Sequence, residues 1–318
     1  MFENAVSSIM TMLILIGTGC FLQGRSWFCE NGKGLLSKFV LNLAVPVNMV
    51  YTMRQVFESR EALLVVPASL PLPLLSLLLT IGICLLALRI RPVPQRRRGA
   101  FIGAATFINS IFIGVPICQA MFGDVAVPIA MVYYIANTAL FWTVGVWLMK
   151  RDGGHADKVF SVEGLKMLLA PPFAGFLLGA CLVLLDIPIP KILRQPMQML
   201  SQTSTPLAML YIGCVIRGIH WKKHVLPADL PAVLGLRFIA APMLTILLCM
   251  AAPLPDLTKQ VFVIYSAIPT MAQVAIVAHE QGSDYEFASL AVSASTLLGM
   301  LVLPGYVLLM ERLHLFGL

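Results

Sequence analysis

The chain is 318 residues long, 59% hydrophobic and 12% charged, with a mean hydropathy of +0.88. Soluble domains carry about 25% charged residues, so an ordinary soluble enzyme is excluded; the 21 prolines and 23 glycines lie inside apolar runs, which excludes disordered and collagen-like chains. A net charge of +7 would suit a nucleic-acid partner in a soluble protein, but here the excess of Lys and Arg first reflects membrane topology, and no nucleic-acid partner is expected.

Apolar runs of about 20 residues cross the hydrocarbon core as helices, because each backbone polar group then finds its partner within its own segment. In chain order such runs fall near residues 5–23, 34–53, 62–88, 100–122, 126–149, 164–186, 196–216, 225–251, 257–279 and 285–310. The pattern predicts an all-α membrane protein of ten transmembrane helices. The first run is expected to be a membrane span in preference to a signal peptide, since only Glu3 is charged before it and the same pattern continues after it. Seven cysteines fall mostly in apolar stretches without paired spacing or a His cluster, so they read as packing residues, and neither a disulfide framework nor a metal site is expected.

Loop charge orients the helices. Segments 25–38, 89–98, 150–166 and 217–223 hold 15 of the 22 Lys and Arg residues. Arg54, Arg60, Lys191, Arg194, Lys259 and Arg312 make 6 on the other side, and Arg237 alone lies inside a run. The positive-inside rule makes the first side cytoplasmic and places both termini outside, which requires an even number of crossings.

The halves repeat weakly. Pro46, Pro67 and Pro71 recur 160 residues later as Pro206, Pro227 and Pro231, where random placement of 21 prolines gives fewer than one such match. NLAVPVNMVY (42–51) lies over QTSTPLAMLY (202–211), and ANTALF (136–141) over ASTLLG (294–299) at an offset of 158. Five runs per copy force the second copy to enter the membrane the opposite way up. The sequence therefore predicts two inverted five-helix repeats, residues 1–155 and 156–318, an architecture found mostly in secondary transporters.

The fourth and ninth runs carry polar and helix-breaking residues at membrane depth. The fourth, FIGAATFINSIFIGVPICQAMFG, holds Asn109, Ser110, Gly114, Pro116 and Gln119; the ninth, VFVIYSAIPTMAQVAIVAHEQG, holds Pro269, Thr270 and Gln273. Proline removes a backbone donor and disfavours helix in the residue before it, and unwound backbone survives in lipid only when it lines a cavity or is buried in protein. Asn109 and Pro269 are themselves 160 apart, so the breaks are expected to face each other, with Gly114, Pro116 and Pro269 shaping the crossover. Half-helix N-termini there would favour an anion. Ordinary proline kinks are the alternative reading.

These stretches resemble a known family. ATFINSIFIGVPICQAMFG is similar to the fourth-helix motif of auxin efflux carriers, SAIPTMAQVAIVAHEQG to the ninth-helix proline motif, and GLLSKFVLNLAVPVNMVY to the second helix. The resemblance implies ten helices in two inverted repeats, with helices 1, 2, 6 and 7 as a scaffold that could also form a homodimer. It makes helices 3–5 and 8–10 a moving transport domain in which the fourth and ninth cross. It implies transport of an organic anion, auxin in plant members and dicarboxylates such as malate or malonate in bacterial ones. Only residues 150–163 lie between the fifth and sixth runs, which favours the compact bacterial type and hence the inner membrane. Two departures stand out: Ile108 replaces the proline expected before Asn109, which predicts a softer break, and the third run lacks the charged pair of plant members.

Single residues complete the expected site. Arg237 is basic at membrane depth, where burial costs at least about 2.5 kcal/mol; it would neutralise a substrate carboxylate or bond to neighbouring carbonyls or Asp229. Asn137, with Thr138, would line the site from the fifth helix. Ser295 and Thr296 occupy the repeat-related place and read rather as packing residues. Asn48 in the second helix would face the cavity, with Gln202 and Ser204 from the seventh. The aromatics Tyr134 and Trp142 are assigned no role. The RPVPQRRRG run (91–99) reads as a topology anchor with anionic-lipid contact as a second role. No Asp or Glu lies mid-run, so anion uniport or exchange is easier to support than Na⁺ or H⁺ coupling, although unwound carbonyls could hold Na⁺. No HExxH or GxSxG motif occurs, so an enzyme is not expected. The expected function is alternating-access transport of a mono- or dicarboxylate, with lipid as the other partner and no cofactor. The alternative is a membrane sensor for a small organic acid.

Overall fold

The computed structural model describes residues 2–25, 30–57, 63, 68–154, 171–217, 227–313 and 315–317. The boundary at 155 and the loop cations Arg60, Lys158, Lys166, Lys222 and Lys223 lie outside the described residues, as do parts of the third, sixth and eighth runs. Among the described residues every extended element is helical. They are α1 (Phe2–Gly24), α2 (30–56), α3 (Pro71–Ile90), α4 (Arg98–Thr106), α5 (Ser110–Phe122), α6 (Ala126–Asp152), α7 (Pro171–Leu184), α8 (Lys191–Arg217), α9 (Leu230–Ala251), α10 (Asp256–Ser266), α11 (Gln273–Glu280) and α12 (Tyr285–Arg312). The fourth and ninth expected runs each appear as two half-helices, α4 with α5 and α10 with α11.

By length and apolarity, Gly34–Gln55, Pro71–Ile90, Ala126–Asp152, Leu230–Ala251 and Tyr285–Arg312 suffice to cross a membrane, and Leu13–Gly24, Ser110–Phe122 and Pro171–Leu184 are shorter apolar helices. Large apolar side chains on the outer faces, such as Leu78, Leu86, Met243, Leu247 and Leu301, are exposed. Lipid tails would cover such a surface at no cost.

Proline shapes the long helices. Val40–Ala44, Ser110–Gly114 and Leu236–Ala240 are wide π turns, and in each case the second residue beyond the turn is a proline: Pro46, Pro116 and Pro242. A proline cannot donate to the carbonyl four residues back and its ring collides with it, and the wide turn moves that carbonyl aside. One freed carbonyl is visibly re-used, because the Tyr306 hydroxyl donates to Phe238 O, four residues before Pro242, at 2.6 Å.

The helices sort into two packed sets. α1 packs along α8, and α2 packs on α7 and α8. These contacts are close because small residues sit at them: a Cβ on Gly19 would meet the Leu210 backbone, one on Gly213 the Ile16 backbone, and one on Gly175 the Pro46 backbone at 2.6 Å. The remaining helices pack among themselves, α3 on α6 and α9, α10 on α6 and α9, and α4 on α6 and α12.

One end of this second set is closed by charge. Arg97 donates to Asp284 at 2.7 Å and to Asp229 at 2.9 Å and lies 4.9 Å over the Phe287 ring. Asp152 Oδ2 accepts from Gly99 N–H and the Ser283 hydroxyl, each at 2.7 Å. The start of α4, the end of α6 and the starts of α9 and α12 are thereby tied together. Burial alone would lower the pKa of the Arg97 guanidinium; the two aspartates outweigh it and hold it above the ordinary value. In the first set, Arg54 in the last turn of α2 pairs with Asp186, just beyond α7, at 2.9 Å.

Candidate substrate site at the crossing

The two breaks meet. Asn109 N–H donates to Pro269 O at 2.8 Å and Met271 N–H to Phe107 O at 3.2 Å, which makes an antiparallel bridge between Ile108 and Thr270 in the middle of a helical bundle. Each unwound strand thus satisfies part of its backbone on the other.

The remaining groups are met by side chains. Asn137 in α6 accepts from Ile108 N–H at 3.0 Å and donates to Ile108 O at 3.3 Å. Ser295 in α12 accepts from Thr270 N–H at 3.1 Å, and the Thr270 hydroxyl donates to Ala104 O at 2.6 Å. Ile108 therefore does not soften the first break, as its replacement of proline had suggested. Phe107 is extended (φ −90°, ψ 133°), and the Asn137 amide takes both polar groups of Ile108 out of any helix. Beyond the break, Asn109 caps α5 by accepting from Phe112 N–H at 3.3 Å.

Arg237 lies behind the crossing. It is 1% exposed, and its guanidinium donates to Ala105 O at 3.2 Å, Thr106 O at 2.6 Å and Ser266 O. Those carbonyls end α4 and α10, so one cation ties the negative ends of both first halves. Asp229, the carboxylate weighed as its partner, is held by Arg97 instead.

A cavity of about 190 Å³ lies on the other side, between the crossing and α2 and α7. It brings together Asn109, Ser110, Asn137 and Gln273 of the expected site, with Thr138 beside them. It does not bring in Pro269, Thr270, Arg237 or Asn48. Pro269 faces the apolar side of the crossing, where it packs against Gly299, and Thr270 is fully buried in its bonds to Ala104 and Ser295. Asn48 is also fully buried, accepting from the Ser201 hydroxyl at 2.6 Å and donating to Gln119 at 3.3 Å. It links α2 and α8 to α5, not to the cavity. Gly114 and Pro116 are buried in α5, with Tyr265 of α10 stacked where a Gly114 Cβ would stand. Asn42 and Met271 line the cavity without having been named from the sequence, and so do Tyr134 and Trp142, to which the sequence assigned no role. Asn42 stands four residues before Pro46, a spacing that placed it at a broken turn.

The cavity wall therefore combines the amides of Asn42, Asn109, Asn137 and Gln273 and the hydroxyls of Ser110 and Thr138 with the apolar surface of Leu41, Phe112, Tyr134 and Trp142, a composition suited to a small molecule with polar and apolar parts. Among the described residues no cluster of His, Cys, Asp and Glu could hold a metal ion.

Residues 4–307 match the family described as membrane transport protein. An uncharacterized transporter of Methanothermobacter thermautotrophicus is 24% identical over 305 residues, 95% of this chain and 97% of the relative. An uncharacterized transporter of Methanocaldococcus jannaschii is 22% identical, covering 95% of this chain and 98% of the relative. A Rhizobium meliloti protein named as a candidate malonate transporter is 24% identical over 87% of each chain. The match spans both broken helices and both packed sets, and the chain belongs to the auxin efflux carrier family of membrane transport proteins.

Proposed function

We propose that the protein is a secondary transporter that moves a small organic anion, a mono- or dicarboxylate, across the cytoplasmic membrane by alternating access. The crossing carries this reading: two unwound strands paired at the centre of the bundle, beside a cavity lined by amides, hydroxyls and apolar side chains and flanked by α2 and α7 of the other packed set. In this reading the helices form two inverted five-helix repeats, with α1, α2, α7 and α8 as a fixed scaffold and the others as the moving unit. The carboxylate class is supported by the Rhizobium meliloti relative's name and by the amide-rich wall.

Asn109, Ser110, Asn137 and Gln273 would contact the anion. Pro269 and Thr270 hold the second strand, Arg237 supplies positive potential through the crossing backbone, and Asn48 acts from the scaffold side. The bacterial inner membrane is the proposed location, both termini lie outside, and two copies pair through the scaffold helices. No cofactor takes part, and uniport or anion exchange is favoured over Na⁺ or H⁺ coupling. Proteoliposomes exposed to labelled malonate, malate and indole-3-acetate test the reading, with and without imposed Na⁺ and pH gradients. Saturable flux of at least one acid is expected. Binding without flux for every acid would replace the transporter by a sensor.

A further inference from the structure

The link from α3 to α4 forms one wall of a second, larger cleft of about 670 Å³ at the charge-rich end, completed by the last turn of α6. Arg89, Arg98 and Arg151 line it, and all three are exposed. Their neighbours are differently engaged: Arg97 is held by two aspartates, and Arg96 donates to Gly282 O at 2.9 Å. Among the described residues none of the three lining arginines is in an ion pair; Arg151 lies 5.8 Å over the Trp147 ring. Asp152 is the one carboxylate in the wall, and its Oδ2 is committed to Gly99 N–H and the Ser283 hydroxyl. Three guanidiniums against one carboxylate leave a formal charge of +2 in one cleft.

Such a concentration of like charge is unfavourable unless an anion enters it. The cleft is also half apolar. Leu85 and Leu86 line it and, with Ile90, are exposed by 47%, 57% and 78% on the outer face of α3. Cationic donors at the helix ends therefore continue directly into an apolar stripe running down the helix.

We propose that this cleft is a binding site for an acidic glycerophospholipid, whose phosphate sits among Arg89, Arg98 and Arg151 and whose acyl chain lies along Leu85 and Leu86. A soluble anion would use only the cationic half of the site. The proposal rests on reading the charge-rich end as the cytoplasmic membrane surface, and it is independent of which acid is transported.

Native mass spectrometry of the purified protein, loaded from phosphatidylcholine vesicles containing phosphatidylglycerol, tests it. Phosphatidylglycerol is expected to be retained in preference to phosphatidylcholine. Each surface cation strengthens binding to acidic lipid roughly fivefold, so Arg89→Gln/Arg98→Gln/Arg151→Gln together should weaken retention roughly a hundredfold, and Arg151→Gln alone about fivefold. The all-lysine triple variant should keep most of it. Lys191→Gln/Arg194→Gln at the opposite end should change nothing. Unaltered retention in the triple variant, an equal loss in the opposite-end pair, or full displacement by glycerol 3-phosphate would each overturn the lipid site. Lipid retention is read without flux, so a failed transport assay leaves this result standing, and a failed lipid assay leaves transport standing.

Discussion

Asn137 and Ser295 stand 158 residues apart and hold the two strands of the crossing in the same way. Asn137 Oδ1 accepts from Ile108 N–H at 3.0 Å, and Ser295 Oγ accepts from Thr270 N–H at 3.1 Å. The asparagine also returns a bond to Ile108 O, so it satisfies two backbone groups where the serine satisfies one. An unmet buried group costs about 1–3 kcal/mol, so Asn137→Leu is expected to destabilise the protein by about 2 kcal/mol and Ser295→Ala by about 1 kcal/mol. Thermal unfolding in detergent should rank them in that order; equal, negligible losses would mean that the strands are held by their mutual bridge alone.

Asn109 and Pro269 are expected to fail in different ways. Asn109→Ala removes both the cap on α5 and an amide at the cavity wall. A hydrogen bond to a charged group contributes about 1.5–3 kcal/mol, so substrate affinity should fall at least about tenfold. Pro269→Ala takes nothing from the cavity but permits helix to continue from α10 towards α11, so flux should fall while the cavity side chains stay in place. Normal affinity and flux in both variants would move the site elsewhere in the bundle.

Arg237 bonds three carbonyls from two half-helices, and only a planar fork reaches both. Arg237→Met leaves those carbonyls unmet and is expected to cost at least about 2 kcal/mol. Arg237→Lys should recover part of the loss, since a point charge reaches fewer acceptors. Apparent KM in the lysine variant should stay within a few-fold of normal. Unchanged stability with a KM raised tenfold or more would instead put the guanidinium on the substrate.

Gly299 and Gly305 lie on one helix and test the packing of the second break. A Cβ at Gly299 would run into Pro269 Cγ, whereas one at Gly305 meets nothing within 4 Å. Gly299→Ala should cost about 1–3 kcal/mol by overpacking and reduce flux, while Gly305→Ala should be neutral or stabilise by about 0.5–1 kcal/mol through its helix propensity. The contrast is read by melting temperature and transport rate.

Sidedness follows from the charge split. In a background with the seven native cysteines replaced by serine, single cysteines at Arg98 and Lys191, both exposed, should react with an impermeant external thiol reagent only at 191. Labelling at both positions in intact cells would overturn the ten-span arrangement with outward termini.

The sequence by itself determined the class of the molecule, because a bilayer leaves so few solutions: apolar runs of sufficient length become helices, and among the described residues the chain is helical, with five helices long and apolar enough to cross a membrane. It also located both breaks, since Asn109 and Pro269 carry their own backbone chemistry, and the proline spacing foretold their pairing. Side-chain partnership was decided only by tertiary structure. Arg237 had a carboxylate eight residues away in the chain, yet it points at carbonyls of α4 and α10, and Asp229 is taken by Arg97. Asn48 and Asn137 are the same residue type and both are buried; one became a junction between α2, α8 and α5, the other the clasp of Ile108. Nor did the missing proline at position 108 soften the first break, because a side chain 29 residues away replaced its effect. Local sequence fixes which backbone groups are freed, whereas the partner of each is whatever donor or acceptor the packed bundle brings within about 3 Å, and that depends on helix crossings no single segment encodes.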